Sequence, residues 1–493
     1  EFPLPFSTRW LRSWQSWLTL LILGSLAFFN TWDFPIYVGL YALVAIFKRI
    51  QFKGWSGRRI WEFIQCGLVL GIGGVILFLP FYLGFQSQAG GLLPSLEFIT
   101  PGKNFWIMFG VFLSLLLIWL IGLLKEKETT FAWKMSAQFT VIAITGLFLV
   151  SIFWALAILS FSTIGDKLAV SASPLLASIG NKMAVGGMAF AGLHENYPTS
   201  AIISAALLRR IQSPGTWLTL GTLLFLTFGF IAGASKKQEP ETIKEDVAQK
   251  LPKPANVKVF VLFLILVGTL LTFFPEFFYL RDQFGWRMNT IFKFYFQGWM
   301  LWALAAAFIS VELFTSLKRW RYVAFSIFWT GLAIGGSAYP LLMVLNKTGD
   351  FRPAVWTLDG NEYIARYTPD EYAAMQWLGE RNVGIVTEAI GGSYTDYARV
   401  STRTRFPTVL GWPAHESQWR GGAAEMGSRY EDIQRLYETS IADEAMAIIK
   451  QYHVRYVYLG NLERILYNVN QNKFDSILDT IYSNSSVIIY EVP

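Results

Sequence analysis

The sequence has little charge and almost no cysteine. Only 15% of its 493 residues are charged, whereas 53% are hydrophobic and 17% are aromatic, and the mean hydropathy is +0.39. This composition is too apolar for a soluble protein and predicts a polytopic membrane protein. The single cysteine, Cys66, lies within an apolar run, so an intrachain disulfide is excluded.

Several catalytic signatures are also absent. The sequence contains no GxxxxGK, HExxH, GxSxG or paired CxxC motif, and no GxGxxG follows a predicted strand. Nucleotide hydrolysis, zinc peptidase, serine hydrolase and dinucleotide chemistry therefore have no support. The net charge of +7 does not indicate a nucleic-acid partner, because most basic residues lie in short loops between apolar runs.

Nine apolar runs are long enough to cross about 30 Å of hydrocarbon. They lie near residues 14–30, 34–48, 61–84, 105–124, 136–161, 215–234, 259–279, 291–314 and 322–346. The second run is short and begins at Pro35, so a broken or re-entrant helix is an alternative there. Gly67 and Gly71, with Gly73 and Gly74 beside them, predict a small-residue face for close helix packing.

Lysine and arginine fall on one side of the membrane if each run crosses once. That side is cytoplasmic by the positive-inside rule, and its basic residues outside the linker 235–258 are Arg9, Arg12, Lys48, Arg49, Lys53, Arg58, Arg59, Lys125, Lys127, Lys134, Lys318, Arg319 and Arg321. The outer side then receives loops 85–104, 162–214 and 280–292 and everything beyond Lys347. We therefore expect an integral plasma-membrane protein with a cytoplasmic N-terminus and an extracytoplasmic C-terminal domain.

The sequence predicts two domains, a multi-span transmembrane domain over 1–347 and an α/β domain over 348–493. Within the first, the polar linker 235–258 is expected to be a flexible cytoplasmic connection. The outer segment 162–214 includes an amphipathic piece, 200–212, that is expected to lie in the interface. There Arg209 and Arg210 would meet lipid headgroups or a lipid phosphate.

The C-terminal domain alternates strand and helix patterns. Strands are predicted at 384–388, 454–459 and 487–491, with 408–410 as a candidate fourth, and helices at 429–439, 442–452 and 473–482. Thr368 and Glu371 form a capping-box pattern with Pro369 at the first helical position. Such alternation favours a layered sheet domain.

The stretch from Pro275 to Trp299 concentrates polar residues between two apolar runs. They are Glu276, Arg281, Asp282, Arg287, Asn289 and Lys293. Ionisable groups at the mouths of transmembrane helices usually pair with one another or face a water-filled cavity, which makes this stretch the leading candidate site. The alternative is a helix turn with snorkelling, aromatic-belted ends.

Asp33 lies at another outer turn, in the sequence NTWDFP. A carboxylate there would act as a general base or a metal ligand. Alternatively, Asp33 caps the helix that begins at Pro35.

A loop of the C-terminal domain, Gly411–Gly421, combines aromatic and polar side chains after a predicted strand. They are Trp412, His415, Glu416, Trp419 and Arg420. Aromatic faces with hydrogen-bonding acids are typical of a sugar site, although a loop that docks the domain onto the membrane helices would use the same residue types. Glu388 likewise either lines a pocket beside the sheet or caps a turn.

Six sequence blocks occur in order along nearly the whole chain. They are NTWDFP, LRDQFGWRMNTIFKFYFQ, TLDGNEYI, EAIGGSY, VLGWPAHESQWRG and VRYVYLGNLER. Together they resemble the YYY family of uncharacterised, very hydrophobic polytopic membrane proteins, which looks like a distant relative of the GT-C glycosyltransferases. That resemblance implies a multi-span helical enzyme that takes a sugar from a polyprenyl-phosphate carrier at the outer face.

The chain departs from that family at its N-terminal end. The family's YYYxG motif is absent, the chain opens at Glu1, and members of the family are usually longer there. The resemblance therefore implies the C-terminal two-thirds of such a protein. GT-C enzymes generally carry their catalytic acid in the first outer loop, which would precede Glu1, so Asp33 is not equated with it.

These observations predict a GT-C-like glycosyltransferase, or the major part of one. Arg281, Arg287 and Lys293 would hold the donor phosphate, and Asp33, Glu276 or Asp282 would be the base or a ligand of a divalent metal. The remaining predicted substrate-binding residues are Asn289, Asp359, Glu388, Trp412, His415, Glu416, Trp419 and Arg420.

Contacts between the charged stretch and the C-terminal domain are also expected. The loop 411–421 would face 276–293, with Arg281 and Arg287 pairing with Glu416 or Asp359, and Asp282 with Arg420. The expected partners are membrane lipids, the polyprenyl-phosphate-sugar donor and a separate N-terminal portion or other membrane subunits, without nucleic acid. The alternative function is a non-catalytic subunit that positions a partner in a larger membrane assembly.

Overall fold

The computed structural model describes residues 8–84, 91–127, 129–170, 199–235, 254–282, 284–353, 355–420 and 422–493, with scattered positions between 173 and 188. Most of the predicted linker 235–258 and the middle of the predicted outer segment 162–214 lie outside the described residues. The chain divides into two compact units, the first ending at Met343 and the second running from Val344 to Pro493.

Seven helices in the described part of the chain have the length and hydropathy to cross a membrane. They are Arg58–Leu77, Gly102–Leu123, Trp133–Leu159, Gly215–Ala234, Val257–Glu276, Met288–Ser316 and Trp320–Lys347. Within the fifth, an α-helix over Pro254–Phe273 is followed by a 3-10 turn over Phe274–Glu276. The first two predicted runs are also helical, as Trp14–Phe29 with 16 residues and Asp33–Lys53 with 21 residues.

The helix Asp33–Lys53 is continuous, which corrects the idea of a broken or re-entrant segment. Pro35 lies in its first turn, where a proline removes no intrahelical hydrogen bond. The described residues of the first unit also include four shorter helices: Thr8–Leu11, Leu79–Gly84, Phe161–Ala169 and Thr199–Gln212.

Close packing between two helices uses glycines other than the GxxxG pair. A Cβ built on Gly24 would lie 2.7 Å from Gly74 O, and one on Gly73 would lie 2.8 Å from a methyl carbon of Leu20. In contrast, a Cβ on Gly67 or Gly71 would meet no described atom within 4 Å. The helices Trp14–Phe29 and Arg58–Leu77 therefore meet at Gly73 and Gly74, and the prediction for the other two glycines is wrong.

A short hairpin-like pairing brings two distant loops together. Strands β1, Leu92–Pro94, and β2, Phe278–Leu280, pair in antiparallel fashion, with Leu93 opposite Tyr279. Aromatic rings also pack in the helical core of the first unit, where the ring centroids of Phe109 and Trp302 lie 5.2 Å apart. The pairing fixes the loop after β1 against the start of the charged stretch.

The last helix of the membrane series has little cover. Only three residues, Leu317–Arg319, separate Met288–Ser316 from Trp320–Lys347. Phe325 is the residue of Trp320–Lys347 that is buried. The most apolar 18-residue window of this helix contains no buried residue. Trp329 and Leu332 pack against the bundle, and most other side chains of this helix are exposed and form an apolar surface.

The second unit contains a four-stranded sheet with strand order β3-β4-β6-β5. Its strands are β3, Ile385–Thr387; β4, Val454–Leu459; β5, Asp479–Ser483; and β6, Ile488–Glu491. β3 is parallel to β4, and the other pairs are antiparallel. Alternate residues of β4 enter two separate apolar clusters, so both faces of the sheet are buried.

Eight helices accompany this sheet in the described residues. They are Glu362–Tyr367, Pro369–Gly379, Arg399–Thr404, Pro413–Trp419, Arg429–Glu438, Ala442–Gln451, Asn461–Leu466 and Gln471–Ile477. The predicted helix 473–482 is wrong, because a helix ends at Ile477 and β5 follows. Thr480, Ile481 and Tyr482 favour a strand, and β6 pairs with it. The candidate strand 408–410 is a single bridge from Thr408 to Val386.

The predicted capping box is also absent. The Thr368 hydroxyl donates to Ile364 O and does not cap its own helix. Glu371 is committed to a buried polar network of the second unit. Thr368 therefore bonds the preceding helix, and Glu371 has tertiary partners in place of a capping bond.

Candidate functional site

The charged stretch separates into a buried ion pair and a half-buried polar cluster. Glu276 has no exposed surface and Arg287 is 5% exposed. Arg287 Nη1 donates to Glu276 Oε1 and to Pro275 O, each at 3.0 Å. Thr100 donates through its hydroxyl to Glu276 Oε1 at 2.6 Å and through its backbone N–H to Oε2 at 3.1 Å. Both carboxylate oxygens are thus occupied, which favours a structural role over base or metal chemistry for Glu276.

Arg210 completes this structural group, a role that the sequence analysis missed. It is 8% exposed, and its Nη2 donates to Ser95 O and Glu276 O, each at 2.7 Å. Nη1 donates to Leu96 O and Ala206 O. Arg210 therefore joins the helix Thr199–Gln212 to Ser95, Leu96 and Glu276. Its burial corrects the expected contact with lipid headgroups. The amphipathic pattern alone could not distinguish a buried arginine from an interfacial one.

Asp282 and Asn289 close the turn between the buried pair and the next helix. Asp282 Oδ1 accepts from Phe284 N at 2.9 Å, and its Oδ2 accepts from Asn289 Nδ2 at 2.6 Å. The backbone N–H of Arg281 donates to Gly91 O at 2.9 Å. These contacts order the loop. The polar atoms of Asp282 and Asn289 are bonded to each other and to the loop backbone.

Asp33 and Lys293 belong to a half-buried polar cluster, which also contains Asn30. Asn30 Nδ2 donates to Asp33 Oδ1 at 2.9 Å, and Lys293 Nζ donates to Asn30 Oδ1 at 3.1 Å. The ammonium lies 5.5 Å from the centroid of the Trp32 ring. Asp33 is a residue of the helix itself and not its cap, because the helix begins at Asp33. The cluster therefore offers a carboxylate and an ammonium held by one amide.

A hydrogen-bonded pair connects this cluster to an apolar groove. The Gln297 side chain lies near the Asp33 carboxylate, and Tyr37 OH donates to Gln297 Oε1 at 2.7 Å. The groove has a volume of about 260 Å³, and its lining residues are Leu23, Tyr37, Leu40, Tyr41, Val44, Ala45, Lys48 and Phe260. It thus runs along the helix Asp33–Lys53 between Tyr37 and Lys48. Sequence reasoning did not find Gln297 or the groove, since neither has a motif.

The three predicted catalytic carboxylates do not converge on one metal site. Within the described residues no group of three or more His, Cys, Asp or Glu side chains is placed to hold a metal ion. Asp33, Glu276 and Asp282 each have their own polar partners. A metal bound at Asp33 would need ligands from substrate or water.

Glu388 is a helix cap in the second unit. Its carboxylate accepts from Val400 N and Ser401 N, each at 2.8 Å, at the start of the helix Arg399–Thr404. Burial raises the pKa of Glu388. This geometry agrees with the capping alternative and does not aim the carboxylate at a pocket.

Arg399 is the centre of a buried network beside this cap. Its guanidinium makes two hydrogen bonds to Glu371 and two to Glu463, at 2.9–3.1 Å. Tyr458 OH donates to Glu371 Oε2 at 2.7 Å. The pKa of Glu371 is lowered, because the Arg399 charge and these hydrogen bonds outweigh the cost of burying the carboxylate. The network joins three helices and β4.

The loop 411–421 forms an aromatic group around His415. The His415 ring lies 4.8 Å from the Tyr394 ring and 5.3 Å from that of Trp412. Trp412 Nε1 donates to Tyr397 O at 2.7 Å, and Tyr394 is 80% exposed. Trp419, at 67% exposed, lies at the end of the same short helix. An exposed aromatic surface with an imidazole is chemically suited to a sugar face.

Glu416 and Arg420 line a polar cavity of about 220 Å³. Its other lining residues are Ile385, Thr408, Val409, Leu410, Glu425, Met426, Arg429 and Tyr452. Arg420 pairs with Glu416 at 2.5 Å and with Glu425 at 3.4 Å. Trp412, His415 and Trp419 do not line this cavity, so the predicted sugar loop divides into two parts.

Several residues that were expected to pair between the two parts of the chain have local partners, and pairing between those parts stays a prediction. Arg287 is held by Glu276, Asp282 by Asn289, and Arg420 by Glu416. Asp359 is exposed and accepts from Asn361 N at 2.9 Å in a turn.

One comparison with known proteins gives a match. The model of the family described as "Uncharacterized membrane protein (DUF2298)" matches residues 5–302. No curated protein and no solved structure matches the chain.

Proposed function

The chain belongs to the uncharacterized membrane protein family DUF2298, and we propose that it is a GT-C-like glycosyltransferase of the YYY type, or the larger part of one. Its donor is a sugar carried on a polyprenyl phosphate, used at the extracytoplasmic face of the plasma membrane. The observation that supports this proposal most is the apolar groove that ends at Tyr37, beside the Asp33 and Lys293 cluster.

The groove suits the hydrocarbon part of such a donor. It follows the helix from Tyr37 to Lys48, which corresponds to a rise of about 16 Å. The lining between these two residues is apolar, and pockets of this kind bind apolar ligands with a few polar groups fixing one end. The polar end toward Gln297 would set the depth of the phosphate.

The cluster supplies the polar chemistry of transfer. Lys293 would attract the donor phosphate by a charge-assisted contact. Asp33 would take the proton of the acceptor hydroxyl while the oxygen of that hydroxyl forms a bond to C1 of the sugar. The bond between C1 and the phosphate oxygen breaks at the same centre, and the phosphate leaves with the bonding electrons. Asn30 holds the carboxylate in place, and Gln297 lies near it.

The other predicted residues have supporting roles in this proposal. Glu276 and Arg287 hold the outer loops, and Asp282 and Asn289 order the turn before Lys293. Candidates for sugar binding in the second unit are Trp412, His415, Glu416, Trp419 and Arg420. A divalent metal, if required, would be assigned to Asp33.

A transfer assay with polyprenyl-phosphate-linked sugars tests the proposal. Purified full-length chain in nanodiscs would be compared with Asp33→Asn, Lys293→Met and Asp282→Asn. We expect Asp33→Asn to lower kcat about 10²–10⁴-fold and Lys293→Met to raise KM for the donor, whereas Asp282→Asn keeps most activity. Full transfer by Asp33→Asn would remove Asp33 from the mechanism.

The groove has its own test within the same assay. Val44→Trp places a large ring in the groove and should raise KM for a long-chain donor but leave a short-chain analogue unaffected. Val141→Trp is the matched control, because Val141 is 63% exposed on another membrane helix. Equal effects of the two substitutions would show that the groove does not bind the chain.

The second candidate is a non-catalytic subunit of a larger membrane assembly. The outward apolar surface of the helix Trp320–Lys347 favours it, because a partner helix would cover that surface. Purified chain that is inactive alone and gains activity only with a co-purified subunit would support this function over the first.

A further inference from the structure

Three arginines surround one glutamate at the end of the helix Asp33–Lys53 opposite Asp33. Arg59 Nη1 donates to Glu62 Oε2, and Arg59 Nε donates to Gly54 O at 3.3 Å. Arg49 Nε lies 3.1 Å from Glu62 Oε2, and Arg58 Nε lies 3.4 Å from Oε1. The turn Gly54–Gly57 joins the two helices that carry these residues.

The positive charge of this cluster exceeds its negative charge. Glu62 is 2% exposed and is the carboxylate that all three arginines share among the described residues. Arg49 Nε is buried, and its 3.1 Å contact with Glu62 Oε2 is an ion pair without hydrogen-bond geometry. One carboxylate therefore neutralises one of three guanidinium charges, which leaves about two positive charges that another anion could neutralise.

The surroundings indicate the depth of the cluster in the membrane. Trp55, in the turn, is 67% exposed, and Trp61, in the next helix, is 58% exposed. Exposed tryptophans beside arginines are typical of the headgroup level of a bilayer. The start of the helix Arg58–Leu77 also has no acidic residue in its first turn, so the positive end of its dipole adds to the field.

We propose that this arginine cluster binds the headgroup of an anionic glycerophospholipid. A phosphodiester would accept from Arg49 and Arg58, whose guanidinium groups form charge-assisted hydrogen bonds with phosphate oxygens. Arg59 stays with Glu62 and positions the pair, since its side chain is only 8% exposed. Basic pockets between membrane helices recognise anionic lipids in this way. The site is independent of the proposed enzymatic site, which lies at the other end of the helix.

The tryptophans favour a lipid over free phosphate as the source of the anion. A phosphate that belongs to the bilayer is already present at the level of Trp55 and Trp61. Its acyl chains would contact the exposed apolar side chains of the same helices, among them Ile60 and Ile64. A soluble anion lacks this second contact.

Native mass spectrometry of the full-length chain tests the site. Delipidated protein would be titrated with phosphatidylglycerol and with phosphatidylcholine of identical acyl chains. The variant Arg49→Gln/Arg58→Gln should bind phosphatidylglycerol about 25-fold more weakly, from about fivefold for each charge removed. The conservative variant Arg49→Lys/Arg58→Lys keeps the charge and should keep most of the binding, which guards against misfolding as the cause.

The matched control is Lys318→Gln/Arg321→Gln, which removes two charges from another bend and the helix start that follows it, on the same predicted membrane side. It should change the affinity for phosphatidylglycerol less than twofold. Equal losses in both double variants, or equal affinities of the wild type for the two lipids, would overturn the proposal. Displacement of phosphatidylglycerol by millimolar inorganic phosphate would also overturn it in favour of a free-anion site.

Discussion

Individual charged residues in this chain differ chiefly in how many of their polar atoms have partners. Both oxygens of Glu276 accept hydrogen bonds, and four bonds from Arg210 end on backbone carbonyls. Asp33 and Lys293 are half-buried and share one amide. The sequence identified these residues as polar groups in an apolar setting, but burial depends on loops far away in the chain, such as that of Thr100. The division into structural and candidate functional charges was therefore beyond sequence reasoning.

Loss of the Glu276 charge should destabilise the first unit strongly. Glu276→Gln leaves Arg287 buried without a counter-charge, and breaking such a pair costs about 3–5 kcal/mol. Unfolding followed by tryptophan fluorescence in nanodiscs would measure the change, with Asp282→Asn as the milder control. The double variant Glu276→Gln/Arg287→Met should recover part of the loss. A neutral effect of Glu276→Gln would show that water reaches the pair.

Lys473 gives the second unit a predicted dependence on alkaline pH. Its Nζ donates to Tyr437 O and Thr439 O at 2.6 and 2.7 Å, and burial lowers its pKa from 10.5 to about 8. The folded pKa is the lower one, so between pH 8 and 10.5 the unfolded state binds more protons. The free energy of unfolding should therefore rise with pH across this window, and the full cost of burying the charge applies below pH 8.

The comparison with Lys473→Met isolates this contribution. Relative to the variant, wild-type stability should gain up to about 3 kcal/mol between pH 8 and 10.5. Denaturant unfolding of both proteins at a series of pH values gives the difference. Parallel curves for the two proteins would contradict the predicted pKa shift.

At the level of elements, apolar length and periodicity were reliable guides. All nine apolar runs are mainly helical, although the run 61–84 is divided into two helices and the run 259–279 ends in a 3-10 turn and a strand. Seven described helices qualify as membrane spans, so the predicted count of nine spans is not confirmed. β4 has the predicted bounds, because burial of this segment agrees with its local preference. The prediction of a helix over 473–482 was wrong, because its second half pairs with β6 and helical propensity cannot reveal that partner. The groove was invisible for a similar reason: its residues come from three helices.

The contact between the helices Trp14–Phe29 and Arg58–Leu77 should be sensitive to side-chain size at Gly74. Gly74→Val places methyl groups where a Cβ would already lie 2.9 Å from the Phe34 ring and 3.2 Å from Gly24 Cα. Overpacking of this kind typically costs about 1–3 kcal/mol. Gly67→Val is the matched control on the same helix, where a Cβ meets open space. Thermal unfolding in nanodiscs should separate the two, and equal effects would mean that the helices do not touch at Gly74.

For the whole molecule, separate cores predict separate unfolding. The clusters around Trp302 and around Tyr490 belong to different units, and each unit has its own buried ion network. We expect two calorimetric transitions. Arg399→Met should lower one of them, because it leaves Glu371 and Glu463 buried without their counter-charge. Glu276→Gln should lower the other. A single transition shifted by both substitutions would show that the units unfold together.

The three-residue connection Leu317–Arg319 also affects how the protein is made. Because the link is so short, one helix cannot enter the bilayer long before the other. Met288–Ser316 and Trp320–Lys347 are therefore expected to leave the insertion machinery as a pair. Lys318, Arg319 and Arg321 at the bend would keep that bend on the predicted cytoplasmic side while both helices move laterally into lipid. The sparse cover of the final helix is then tolerable during biosynthesis, because its partner is present from the moment of insertion.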